Sequence, residues 1–209
     1  MNATFGCWNI RLLAEAFGIE TGNISVLEDI QIDLTEAELT QVDKISSCLK
    51  HRGGKWNKGQ AFEKLIDPLF KLLPLSSEIK IFHDSLLSTQ VKNRILNSKT
   101  DLAIGSIDSL GNLASPLFSL GYYHTEDFGE YIPFRQDKTP THLGAFWSSM
   151  ITTHYLNHQK VTFGLMITDN YWWQLSAFRG NKIDYTTLYM YPSNLQKAYI
   201  WLKKVITTY

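Results

Sequence analysis

The sequence predicts an α/β fold, a mixed central sheet flanked by helices. Two observations point there. Apolar residues recur at helical spacing through residue 73, and from residue 79 the period changes from 3.6 to 2. A helical stretch at 139–155 then separates three strands from three more, and a last helix closes the chain. No internal repeat, low-complexity tract or linker divides it.

The elements follow in order. Residues 6–17 (GCWNIRLLAEAF) read as a short amphipathic helix ending before Gly18, and the polar stretch 20–34 reads as irregular. Thr35 with Glu38 forms a capping box ahead of Leu39, Val42, Ile45 and Leu49, and His51-Arg52-Gly53-Gly54 ends that helix. Residues 1–50 are expected to form an N-terminal helical appendage, and 51–209 the core of a single domain. Asn57 caps a helix whose stripe is Phe62, Leu65, Ile66, Leu69, Leu72 and Leu73, with Pro68 expected to kink or break it.

Strands are read at 79–82, at 100–107 and, after a Gly-Asn turn near 111–112, at 116–124. Thr139-Pro140 starts a helix carrying Leu143, Trp147, Met150, Ile151 and Tyr155. Strands 161–168 and 171–178 flank an Asp169-Asn170 turn, and 179–182 turns into a strand at 183–190. Trp172 and Trp173 are expected to serve the core and a sheet face. Ser193 caps a final helix with Leu195, Tyr199, Leu202 and Ile206 on its apolar face.

The totals bound function loosely. Lys+Arg and Asp+Glu are both 20, so the chain lacks the basic excess usual in a dedicated nucleic-acid binder. Two cysteines, Cys7 and Cys48, cannot build a disulfide framework, and a reduced, cytoplasmic setting is expected. No signal-peptide pattern is visible, and no apolar stretch approaches the roughly 20 residues needed to span a bilayer. There is no phosphate-binding Gly-rich loop, Gly-x-Ser-x-Gly elbow or Cys-x-x-Cys pair.

The segments WNKGQAFEKLIDPLFKLL (56–73), IKIFHDSLL (79–87), KTDLAIG (99–105), SPLFSLGYYH (115–124) and HLGAFWSSMITTHYLNHQKVTFGLMITDNYWWQL (142–175) stand in a telling order. Together with the closing helix they resemble the PD-(D/E)XK superfamily of restriction-endonuclease-like nucleases. More narrowly, they resemble bacterial proteins related to the N-terminal nuclease part of type I restriction subunits. The resemblance covers roughly residues 35–209 and rests on segment order and apolar pattern. It implies a restriction-endonuclease-like core and, if the chain is active, phosphodiester hydrolysis with Mg²⁺ or Mn²⁺.

Such chemistry needs a cation to stabilise a phosphate oxygen and deprotonate water, held by carboxylates on adjacent strands. Asp101 matches the family's first carboxylate; the alternative is an Asp accepting backbone N–H groups after Asn97-Ser98. Glu63 is the candidate helix carboxylate and second metal ligand, or else a solvated flank residue. The third strand departs from the pattern. Tyr122 stands for the family's Glu and His124 for its Lys, and a neutral phenol cannot replace a carboxylate at a hard cation.

His124 is the candidate proton-handling residue. Glu126, Asp127 and Glu130 are acids that could compensate, or a surface loop, and Gln136-Asp137-Lys138 is a Gln-x-Lys variant in a shifted register. His142 and Lys99 are the expected nucleic-acid contacts, while His154 and His158 are expected to be solvated. The reading that results is a nuclease-fold module with an eroded site. It would be non-catalytic or weakly active, and would bind DNA, RNA or a protein in a defence or mobile-element system. The alternative is an active metal-dependent endonuclease with a rearranged site.

Overall fold

The computed structural model describes residues 9–22, 32–50, 56–123, 142–158, 160–169, 172–189 and 191–207. Among them, β1 (Glu20–Gly22), β2 (Ile79–Val91), β3 (Arg94–Ile107), β4 (Leu113–Tyr123), β5 (Thr162–Thr168), β6 (Trp172–Arg179) and β7 (Lys182–Tyr189) form one sheet. Its order is β1-β7-β6-β5-β4-β3-β2. The pairs β1–β7 and β4–β5 are parallel and the rest antiparallel, so the sheet is mixed. Helices are α1 (Ile10–Phe17), α2 (Glu36–Lys50), α3 (Lys58–Ala61), α4 (Asp67–Lys71), α5 (His142–Asn157) and α6 (Pro192–Thr207). None is long and apolar enough to cross a membrane.

Two apolar layers sandwich the sheet. On one face α2, α4 and α6 bury Val42, Leu69 and Leu202 against Leu102, Leu120, Leu165 and Trp173. On the other, α1 and α5 bury Phe17, Phe146 and Ile151 with Met166, Phe178 and Ile183. Residues 9–50 thus supply an edge strand and side chains to both layers, and Glu20–Gly22 is a strand where an irregular stretch was expected. Glu20, Thr21 and Gly22 hold this strand without an apolar side chain, because its ladder to β7 needs only backbone groups. His154 also departs from expectation. It is half-buried, with Nδ1 3.1 Å from Thr162 Oγ1 and its ring edge-on to Phe178 at 4.8 Å. Burial pushes its pKa down.

At Pro68 the chain does not break but stays helical through Lys71, with a π-helical turn over Phe62–Ile66 just before the proline. Proline has no N–H to give the fourth residue before it, and the helix widens so that the Asp67 N–H reaches Phe62 O instead. The Thr35–Glu38 capping box is also present: the Glu38 N–H donates to Thr35 Oγ1 (3.2 Å) and the Thr35 N–H to Glu38 Oε2 (2.8 Å).

The same carboxylate ties α2 to α6. Lys203 Nζ lies 2.8 Å from Glu38 Oε1, and the buried Tyr199 hydroxyl lies 3.1 Å from it. The Lys203 ammonium, against the cost of burial, brings the Glu38 pKa down to about 2. A depressed carboxylate contributes stability above its unfolded pKa and loses it as pH falls through the folded one. Between about pH 4.5 and 2, the wild type is therefore expected to lose roughly 1–2 kcal/mol that Glu38→Gln does not lose, allowing for solvent screening. Urea midpoints of both proteins across that range check it.

The longest departure from the sequence reading is a ribbon. β2 and β3 run 13 and 14 residues and pair around a tight turn at Lys92-Asn93, with Lys92 at φ 55°. The ladder skips one position, between His83↔Leu102 and Ser85↔Thr100. There Asp84 adopts φ 49°, in the left-handed region that Asp tolerates better than most residues. That irregularity also interrupts the exposed edge of the sheet, which an unbroken strand would offer to other chains.

Candidate functional site at the fork of two strands

β3 and β4 are paired from Ile107↔Leu113 to Leu102↔Leu120. Past that pair β3 continues with β2, while β4 continues beside β5. Side chains bridge the resulting fork. Thr100 Oγ1 accepts the Leu120 N–H (3.1 Å) and lies 2.7 Å from Leu120 O. Asp101 Oδ2 accepts the Tyr122 N–H at 2.6 Å. In the fork lies a cleft of about 160 Å³ lined by Ser98, Lys99, Asp101, Tyr122, Tyr123, Ala145 and Ser148. The Ser98 hydroxyl is buried there with no partner among the described residues.

The other oxygen of Asp101 is also engaged. Lys58 Nζ, from the first turn of α3, lies 2.5 Å from Asp101 Oδ1 and 3.8 Å from Asp84 Oδ1. Lys99 Nζ lies 3.2 Å from Asp84 Oδ1, and its ammonium is the main cause holding the Asp84 carboxyl below its ordinary range. Two carboxylates on neighbouring strands thus face two ammonium groups, and the cluster is formally neutral. Lys58 is positioned from below. Asn57 caps α3 through a capping box with Gln60, and the Tyr122 hydroxyl donates to Trp56 O at 3.3 Å. The ammonium also lies 5.8 Å from the Phe62 ring centroid, within cation–π range.

The register corrects one expectation. Leu102 pairs with Leu120, and both lie in the layer under α2, α4 and α6. Alternation puts Tyr122 in that layer, against Phe62, and leaves Gly121 and Tyr123 on the Asp101 side. Tyr122 therefore does not stand opposite Asp101 as a replaced ligand would; a slip of one residue exchanges the faces. A Cβ on Gly121 would come within 2.6 Å of the Tyr123 ring, so the ring occupies the space opposite Asp101. Burial pushes the Tyr122 pKa up to about 12 and that of Tyr123 higher, with Asp169 and Asp101 adding to the respective effects. Both phenols are neutral at ordinary pH and offer no anionic oxygen to a hard cation.

The remaining candidates divide. Glu63 is exposed on the π turn and does not join the Asp101 cluster; Lys58, just before it, does. Lys99 lines the cleft through its pair with Asp84. His142 opens α5 with its ring 4.8 Å from that of Tyr123, beside the cleft. His124, Glu126, Asp127, Glu130 and Gln136-Asp137-Lys138 lie outside the described residues. Among the described residues, no three His, Cys, Asp or Glu side chains converge as a metal-binding group. Sequence reasoning missed Lys58 and Asp84. No family-model, curated-protein or solved-structure match to this chain is found.

Proposed function

We propose that the chain is a restriction-endonuclease-like module that binds rather than cuts. The observation that carries this reading is the Lys58 ammonium between Asp84 and Asp101, in the place a divalent cation would need. A metal would have to displace that ammonium and the Tyr122 N–H to use both oxygens of Asp101. Facing them it would meet Gly121 and a neutral Tyr123 instead of a carboxylate. The meander β2–β3–β4, followed by α5 and a strand parallel to β4, supports the architectural half of the reading. Its partner is a nucleic acid or a protein of a defence or mobile-element assembly, in the cytoplasm.

Calorimetric titration of MnCl₂ into the purified chain at neutral pH tests the site. The expected result is no saturable binding tighter than about 1 mM, a binding free energy of about 4 kcal/mol. Saturable binding that disappears in Asp101→Asn would favour the active alternative, with the missing carboxylate drawn from residues 126–130.

A further inference from the structure

We propose that the open edge of β2 pairs with the same edge of a second copy of this chain, joining two sheets across a two-fold axis. The inference goes beyond the reading of the Asp101 cleft and does not depend on what that cleft does. Among the described residues β2 is the last strand of the sheet. An open strand edge carries unpaired N–H and C=O groups, which proteins commonly protect with Lys, Pro, a bulge or a very short strand. Asp84, at φ 49°, interrupts β2 at one point. From there to the turn, residues 85–91 (SLLSTQV) contain no charge, no Pro and no Gly. The run is the kind of uncharged β segment that pairs with another strand when nothing covers it.

The hairpin shows which groups face outward. Val91 pairs with Arg94 around the two-residue turn, so Val91 directs its N–H and C=O at β3. Main-chain direction alternates along a strand, so Thr89, Leu87 and Ser85 do the same, while Gln90, Ser88 and Leu86 direct theirs away from β3. The Ser88 hydroxyl bonds Asn97 and the Gln90 amide bonds Lys92 O, but these bonds use side chains and leave the outward N–H and C=O of both residues open.

Self-complementarity selects a second copy over an unrelated strand. Antiparallel pairing about an axis at Ser88, the midpoint of 85–91, sets Ser88 opposite Ser88 and Leu86 opposite Gln90. Each of these residues then exchanges both main-chain bonds with its opposite number. The same register sets Asp84 opposite Lys92 of the second copy, and Lys92 opposite its Asp84, so unlike charges meet at both ends of the run. Asp84 has room for this ammonium, because its side chain stays 65% exposed beside Lys58 and Lys99. An axis at Leu87 would set Asp84 opposite Gln90, and one at Thr89 would set Lys92 opposite Leu86. Pairing at Ser88 also covers exposed Leu86, between the Lys99 stem on β3 and the Gln90 stem of the second copy.

Sedimentation equilibrium of the full chain at about 100 µM, enough to populate a complex of micromolar affinity, tests this. The wild type is expected at twice the 24.0 kDa chain mass. Ser88→Pro is expected to be a folded monomer, since Pro on an edge strand removes an N–H that faces away from β3. Lys92→Asp sets like charges opposite each other and is expected to dimerise at least about tenfold more weakly. Oxidation in a Cys7→Ser/Cys48→Ser background reads the register. Ser88→Cys is expected to cross-link to itself, because opposite Cα atoms of a hydrogen-bonded pair lie about 5.5 Å apart, within disulfide range. Leu110→Cys, 83% exposed at the β3–β4 turn, is expected not to. Thermal unfolding at the wild-type midpoint shows that each variant is folded, and the cross-link carries the test if Ser88→Pro is not. A folded wild type that stays monomeric would overturn the proposal. So would unchanged association in folded Ser88→Pro or Lys92→Asp, or cross-linking of Leu110→Cys as fast as that of Ser88→Cys.

Discussion

Lys58→Met is expected to confer a divalent-cation affinity that the wild type lacks. Methionine keeps the apolar stem beside Phe62 and removes the ammonium that lies 2.5 Å from Asp101 and 3.8 Å from Asp84. Two carboxylates on neighbouring strands are then left with Lys99 as their nearby cation. A divalent ion can be held by one or two carboxylates while it keeps several waters. Mn²⁺ binding in the variant is expected to tighten at least about tenfold over wild type, or about 1.4 kcal/mol. Asp84→Asn in the same background is expected to reverse the gain. Electron paramagnetic resonance of free Mn²⁺ measures both, and a variant that binds no more tightly than wild type would show that the ammonium blocks nothing.

Asp101→Ala is expected to cost about 2–3 kcal/mol of folding stability, and Asp101→Asn about 1 kcal/mol. The Asp101 side chain is 13% exposed, and its two oxygens serve different groups. Truncation leaves the Tyr122 N–H without its acceptor at the point where the β3–β4 ladder has ended. An unsatisfied buried donor accounts for most of the loss. The Lys58 arm adds less, because that side chain is 40% exposed and finds water. Asparagine keeps an acceptor for Tyr122 and gives up only the charge. Urea unfolding of the three proteins reads the difference, and equal stability of wild type and Asp101→Ala would remove the structural role assigned here to this carboxylate.

Much of the fold was legible because its signals are local. The Thr35–Glu38 box, the stripe through Leu65 and Leu69, the apolar runs of β5 and β6 on either side of their turn and the apolar face of α6 are each short-range signals. The distal half of the ribbon was not legible. Its Lys92-Asn93 turn lacks glycine, and Leu86-Leu87 with Asp84 blurs the alternation.

The site needed information that no single strand holds. Alternation along β3 and along β4 was read correctly in each, but which faces coincide depends on the Leu102↔Leu120 pairing. Lys58, Asp84 and Asp101 meet only in the fold. Once the turn at Lys92-Asn93 is located in the fold, counting back along each strand sets Asp84 opposite Asp101. Nothing comparable links Lys58 to either, because its approach depends on how α3 seats on Tyr122.

Incubation of the purified chain with supercoiled plasmid DNA and either Mg²⁺ or Mn²⁺, run beside Asp101→Asn, tests most directly whether this fold binds without cutting. A cleft closed by its own ammonium predicts that neither protein nicks the plasmid above buffer. Metal-dependent nicking by the wild type that vanishes in Asp101→Asn would contradict that prediction and return Asp101 to catalysis.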